Sequence, residues 1–269
     1  MSHKKILIVG GGIGGITAAT ALANVGFSVT LMEAAAAFGE VGAGVTLSPN
    51  AVKGLAHIGL SEQVAAAGVE PERQRVQSWE DGRTLVEMSR ADCRERYGAP
   101  YVYIHRADLH ALLVDAARTA GVDLITSARV VDVREDGVLT SSGDFISGDI
   151  IVGADGLKSK IRELFDPSKP SFTGHVAWRA LVPANGRLRE LAEWPGIHIG
   201  PERMVRGGSV CLNSDWQRIS GLSAGCFLKM PMWVSCREGV PQPFPAMFPP
   251  GNICPCHDTI LLLAQTAES

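Results

Sequence analysis

The chain has 269 residues, of which 46% are hydrophobic and 20% charged, and its formal net charge is −3. That is ample chain for one or two domains with a sizeable core, and a charge this small gives no reason to expect a nucleic-acid partner. No apolar run approaches the ~18 residues of a membrane span, and the lysines before the first apolar run lead into a glycine-interrupted segment rather than a secretion leader, so a cytoplasmic protein without a membrane partner is expected.

Ile6 to Val9 form a short apolar run bounded by glycine, the pattern of a strand buried on both faces. Ile16, Ala19, Thr20, Ala23 and Val25 then recur at roughly helical spacing, and Gly26 closes the segment as a C-cap would. "FSVTLME" returns to strand. Together these make one βαβ unit, right-handed by default. Between strand and helix, Gly10, Gly12 and Gly15 match G-x-G-x-x-G. The first suits a tight turn, the second a close approach of backbone to a pyrophosphate, and the third close packing of helix on strand. A helix N-terminus offers unpaired N–H groups to phosphates. Glu33 ends the second strand, where a carboxylate can bind ribose hydroxyls. The order strand, glycine loop, helix, strand, acid points to dinucleotide binding; a glycine-rich turn beside a solvated Glu33 is the alternative.

The loop with Gly39, Gly42 and Gly44 is either a connector or a segment lying along an extended cofactor. Ser48 and Pro49 read as N-cap and first position of a short helix carrying Ala51, Leu55 and Ile58. Asp81-Gly82 separates two alternating segments, a hairpin signal. Leu109, Leu112, Leu113, Ala116, Ala117 and Ala120 share one helical face that ends at Gly121. Arg106 opens that helix, where the helix dipole disfavours a cation; this suggests an anion nearby, with a pairing to Asp108 as the alternative. Ile150 to Val152 form another buried strand, "GADG" turns sharply, and Lys158 to Leu164 reads as helix. Asp155 then stands at a strand's C-terminal end, where ligands of α/β sheets gather, with Ser159 and Arg162 as further candidate phosphate contacts.

"GGGIGG" with Glu33, Arg106 at a helix start, and Gly153, Ala154, Asp155, Gly156, Ser159 and Arg162 in the pattern G-A-D-G-x-x-S-x-x-R resemble the flavin-dependent aromatic hydroxylases of the p-hydroxybenzoate and salicylate hydroxylase group. "FTGHVAWRALVP", Phe172 to Pro183, is similar to a substrate-domain strand of the salicylate branch, and the likeness runs from residue 4 to about residue 205. The resemblance implies an α/β fold: a Rossmann-like FAD-binding domain (1–70 and 104–170) with an interleaved β-sheet substrate domain (71–103 and 171–210), incomplete here. It implies extended FAD held at Gly10, Gly12, Ile13, Gly14, Gly15, Glu33, Ala34, Gly44, Val45, Arg106, Val130 and Asp155. It implies NAD(P)H as a transient electron donor, O2, and hydroxylation of a small aromatic acid, with a homodimer among the assemblies open to the chain. Because the flavin carries that chemistry, no catalytic side chain is implied; His105, His175 and His198 read as structural or surface residues.

The family's later Gly-Asp…His-Pro motif has no match: Gly143-Asp144 and Gly148-Asp149 both precede the Asp-Gly site and neither leads to His-Pro. Residues 211–269 hold five of six cysteines and seven of fifteen prolines but only seven of fifty-three charges. They are expected to be an atypical, out-of-frame or alternatively spliced tail that builds no substrate sheet from about Cys211 onward. A zinc site at Cys226, Cys236, Cys254, Cys256 and His257 is disfavoured by its Cys-x-Cys-His spacing. Two further readings stay open: a flavin-binding fragment without catalysis, and an NAD-dependent dehydrogenase on the same first unit.

Overall fold

The computed structural model describes residues 4–39, 44–172, 196–201 and 204 in full, and the backbone of 175–183, 203–212, 216–227 and 261–263. Its first layer is a parallel sheet. Strands β1 (Lys5–Val9) and β2 (Ser28–Met32) flank helix α1 (Ile13–Asn24). With β7 (Asp123–Ile125) and β11 (Ile150–Gly153) they give the order β11-β1-β2-β7, every pairing parallel.

The two-residue period of β1 explains its apolar run. Ile6 and Ile8 face α1 and α5 (Arg106–Thr119), in a cluster with Ile16, Leu31, Leu109 and Leu113. Leu7 and Val9 face the other way, against Val130, Val138 and Ile161. That second face is covered by the antiparallel meander β8 (Val130–Arg134), β9 (Gly137–Thr140) and β10 (Phe145–Ser147). A strand buried on both sides has no polar positions to alternate.

Helix ends follow local chemistry. Gly26 and Gly121, each one residue past the C-cap of α1 or α5, take φ of +97° and +79°, a left-handed conformation that glycine enters without Cβ strain. Val25, read as part of the apolar face of α1, is instead the C-cap and 73% exposed. Between the Rossmann strands lie β3 (Gly44–Leu47), α2 (Pro49–His57, Ser48 at its N-cap), α3 (Ser61–Ala67), β4 (Arg73–Ser78), β5 (Thr84–Ser89), α4 (Cys93–Tyr97) and β6 (Val102–His105). β4 and β5 pair antiparallel around Gly82 at φ +71°.

Two sequence expectations are corrected. Lys158 to Leu164 is not an α-helix: turns lead to a single 3-10 turn, Arg162–Leu164. The backbone N–H groups of Lys160 and Arg162 donate to the side chains of Asp155 (2.7 Å) and Ser159 (2.9 Å), and side-chain acceptors of this kind compete with the helical ladder. Nor does the second sheet stop near residue 210. β12 (His175–Pro183), β13 (Gly196–Gly200), β14 (Arg203–Leu212), β15 (Trp216–Phe227) and β16 (Leu261–Leu263) join β4 and β5 in a seven-stranded sheet of order β16-β12-β15-β14-β13-β4-β5. β15 pairs with β12 continuously from His175↔Phe227 to Pro183↔Ile219. All seven late prolines lie beyond Phe227, so β15 contains no proline to remove a donor from its ladder. Of the proposed zinc ligands, only the backbone of Cys226 falls within the described residues. Among the described residues no helix is long and apolar enough to cross a membrane.

Candidate functional site

The C-terminal edge of the parallel sheet gathers three chain segments. Gly10, leaving β1, donates its N–H to the carbonyl of Met32 at the end of β2 (2.8 Å), and Ala154, leaving β11, donates to Val9 (2.7 Å). The glycine loop therefore runs between Glu33 on one side and the Asp155 turn on the other. Gly10 has φ +110°, and a Cβ on it would be driven into the carbonyl of Ala154; a Cβ on Gly15 would strike the carbonyl of Gly10. These two glycines let strand, loop and helix close on one another.

Gly12 and Gly14 differ. A Cβ on either meets nothing within 4 Å. Gly12 is the N-cap of α1 and supplies no side-chain cap, so the first-turn N–H groups, including those of Ile13 and Gly14, have no intrahelical partner. Open space in front of uncapped amides at a positive helix end fits a diphosphate.

Glu33 is bound into the loop. Its Oε2 accepts the N–H of Gly11 (2.7 Å) and its Oε1 the N–H of Ala35 (2.8 Å). Two carboxylate oxygens have about four acceptor sites between them, which leaves capacity for ribose hydroxyls. Ala34 follows on an exposed bend. Ala128 donates to the carbonyl of Glu33 (2.9 Å) and Ser127, at φ +55°, to that of Ala35 (2.8 Å), which carries the chain past the acid into Val130 at the start of β8. Val130 itself is buried against the underside of the sheet.

Arg106 reaches the site by another route. β3 pairs antiparallel with β6, placing Gly44 opposite His105 and Val45 opposite Ile104. Arg106 comes next and begins α5. One turn on, His110 Nε2 lies 2.7 Å from the carbonyl oxygen of Gly11. Residues four apart share a helix face, so Arg106 stands on the face of α5 that meets the glycine loop. Asp108 pairs with His105, Oδ1 to Nδ1 at 3.7 Å. Asp155 is turned inward: Oδ1 accepts the Ser159 hydroxyl (2.6 Å) and Oδ2 the N–H of Lys160 (2.7 Å). Arg162 donates Nη2 to the carbonyl of Ser168 (3.4 Å). His198 lies on β13, where burial lowers its proton affinity below the usual histidine range.

Sequence reasoning missed Gly11 and His110. A Cβ on Gly11 would press on the Phe38 ring and on Glu33, so the loop needs a glycine at a motif position written x. The signal for His110 was a lone imidazole one turn after Arg106, on a helical face that is apolar from there on.

A parallel sheet with its glycine loop, an acid at the end of β2 and open space at Gly12 and Gly14 along one edge, and a second, mixed sheet whose β4 and β5 are inserted between its strands, defines the architecture of a dinucleotide-binding protein. Residues 3–194 match the family of FAD binding domains, and the chain belongs to that family of FAD-dependent aromatic hydroxylases. It is 39% identical over 200 residues to 3-hydroxybenzoate 6-hydroxylase 1 of Aquipseudomonas alcaligenes, covering 70% of this chain and 50% of that one. It is 36% identical over 185 residues to 6-hydroxynicotinate 3-monooxygenase of Bordetella bronchiseptica, covering 66% and 48%. Among solved structures, Klebsiella pneumoniae HpxO complexed with FAD and uric acid superposes with a TM-score of 0.69 at 26% identity, covering 83% of this chain and 56% of that one. A tetrameric 2-methyl-3-hydroxypyridine-5-carboxylic acid oxygenase gives 0.71 at 24% identity, a likeness of fold, covering 84% and 59%. The chain spans about half the length of the curated relatives it matches.

Proposed function

We propose that this chain is the FAD-binding part of a monooxygenase that hydroxylates a small aromatic acid, such as a hydroxybenzoate, at the expense of NAD(P)H and O2. The observation that carries the reading is the open, uncapped N-terminus of α1 at Gly12 and Gly14, flanked by Glu33 and by the Arg106 face of α5. In this reading the N–H groups of Gly12, Ile13 and Gly14 take the pyrophosphate and Arg106 adds a cation beside it. Glu33 takes the ribose, Ala34 and the backbone at Val130, whose side chain is buried beneath the sheet, border the adenosine half, and Gly44 and Val45 lie along the extended cofactor. Gly10 and Gly15 let the loop close, and Asp155 holds the shape of the neighbouring turn. The flavin supplies the redox chemistry with the nicotinamide donor and oxygen; the protein's share is binding, orientation and exclusion of water.

The relatives' hydroxybenzoate and hydroxynicotinate substrates motivate the substrate class. The dehydrogenase alternative loses its ground once the family is one of FAD binding domains. Cytoplasmic location and a homodimer complete the proposal.

The test is direct. The purified chain is incubated with FAD, freed of excess and examined by absorbance, then supplied with NADH or NADPH, labelled O2 and a panel of hydroxylated benzoates and nicotinates. A bound flavin spectrum with slow or absent NAD(P)H oxidation is expected of this part of the protein; aromatic-dependent NAD(P)H oxidation with label in the product would show that the chain is catalytically complete. A chain that retains FAD but never hydroxylates is the non-catalytic flavin-binding fragment; one that retains no flavin overturns the cofactor assignment.

A further inference from the structure

Gly11 occupies a motif position that places no demand on residue type, yet both of its peptide groups are held by side chains. Its N–H donates to Glu33 Oε2 at 2.7 Å, and its carbonyl accepts from His110 Nε2 at 2.7 Å. A carbonyl oxygen can only accept, so His110 carries its proton on Nε2. His110 is 3% exposed, on a face shared with Leu109, Leu113, Val114 and Ala117, and the Phe38 ring lies 6.5 Å from its own. Burying an imidazole among such neighbours is costly unless it is hydrogen-bonded, and its bond here goes to the glycine loop.

The consequence lies one atom further along the chain. The carbonyl of Gly11 and the N–H of Gly12 belong to a single planar trans peptide and point in opposite directions, no cis peptide occurring among the described residues. Holding the carbonyl toward α5 turns the Gly12 N–H away from α5. Gly12 is also the position whose own surroundings are open. We infer that His110 is a positioning residue: it orients the Gly11–Gly12 peptide so that the Gly12 N–H is presented to the cofactor's pyrophosphate, and this inference rests on the FAD reading above. Arg106 lies one turn earlier on the same helix face, so α5 both carries a cation to the loop and sets the loop's peptide plane.

The clamp and a mere packing role predict opposite orders of two variants. Glutamine places an amide donor near the position of the imidazole Nε2, whereas leucine fills the space with apolar atoms. With the full chain, FAD dissociation constants are read by fluorescence titration for wild type, His110→Gln and His110→Leu, with thermal unfolding of each ligand-free protein alongside. The leucine variant is expected to weaken FAD binding roughly tenfold, the loss of an aligned donor to a charged group, and the glutamine variant to stay within about threefold of wild type. Leucine binding FAD as wild type does, or glutamine losing as much as leucine, overturns the inference. Should His110→Leu fail to fold, His110→Gln decides alone on the same threshold. A wild-type chain that binds no FAD would refute the cofactor reading instead. The clamp is then judged by amide hydrogen exchange of residues 10–14 in the ligand-free chain: His110→Leu must accelerate it and His110→Gln must not.

Discussion

Adding one methyl group to each glycine of the loop has different physical consequences. At Gly10 the left-handed φ of +110° and the Ala154 carbonyl both oppose a Cβ. The conformation alone costs about 1–2 kcal/mol and crowding typically adds ~1–3 kcal/mol. At Gly12 the backbone is extended and the space open, so a side chain there does not disturb the fold; it occupies the volume a phosphate would use. Gly12→Val is therefore expected to unfold within about 2 °C of wild type while losing dinucleotide binding. Gly10→Ala is expected to lower the melting temperature by several degrees, at roughly 2–4 °C per kcal/mol for a chain of this size. Circular-dichroism melts and FAD titrations of the two proteins check this, and a Gly12→Val chain that still binds FAD normally would remove Gly12 from the site. At this scale the motif glycines and Glu33 were legible because their spacing follows from one local βαβ unit. Gly11 and His110 were not, since their contact joins residues 99 apart in sequence and no local pattern encodes it.

Elements repeat the lesson with side chains competing against ladders. The segment after β11 has the residues of a helix but the hydrogen bonds of a capped turn, because Asp155 and Ser159 take the amides that a helix would use. Ser159 is buried, gives its hydroxyl to Asp155 and accepts the N–H of Arg162. Ser159→Ala removes both bonds and leaves an amide without its side-chain acceptor. It should cost about 1–2 kcal/mol, in the range of a lost helix cap, measured by urea unfolding; a change below ~0.5 kcal/mol would mean the turn is held by packing alone. The β4–β5 hairpin and α5 were legible from the Asp81-Gly82 turn and from periodic apolar residues ending at Gly121. β15 was not, because composition averaged over residues 211–269 merged a proline-free strand with the proline-rich stretch behind it. A strand's partner, here the distant β12, is written in no local composition.

For the molecule as a whole, the residues proposed to hold the cofactor all belong to the part of the chain that builds the parallel sheet. Gly10 to Gly15, Glu33, Gly44, Val45, Arg106, His110, Val130 and Asp155 all precede residue 160, and so do nearly all members of the two described core clusters, which end at Ile161. The seven-stranded sheet takes only β4 and β5 from this part of the chain, joining them through β13. A fragment ending at Phe172 would therefore keep the parallel sheet, its helices and the β8–β10 meander intact. It would leave the β4–β5 hairpin without its neighbour, and an isolated two-stranded hairpin is marginal in water. The expectation is a fragment that unfolds cooperatively, exchanges amides rapidly across 73–89, and binds FAD within about threefold of the full chain, a difference of well under 1.4 kcal/mol. It should oxidise no NAD(P)H in response to any aromatic acid, because the sheet that would face the substrate is gone. One structural link works against independence: β14 leans on β3 and β6, the pair that sets Gly44 opposite His105 and leads into Arg106. If that support matters, FAD affinity in the fragment falls more than tenfold, and the cofactor site must then be regarded as shared between the two sheets rather than built by the first alone.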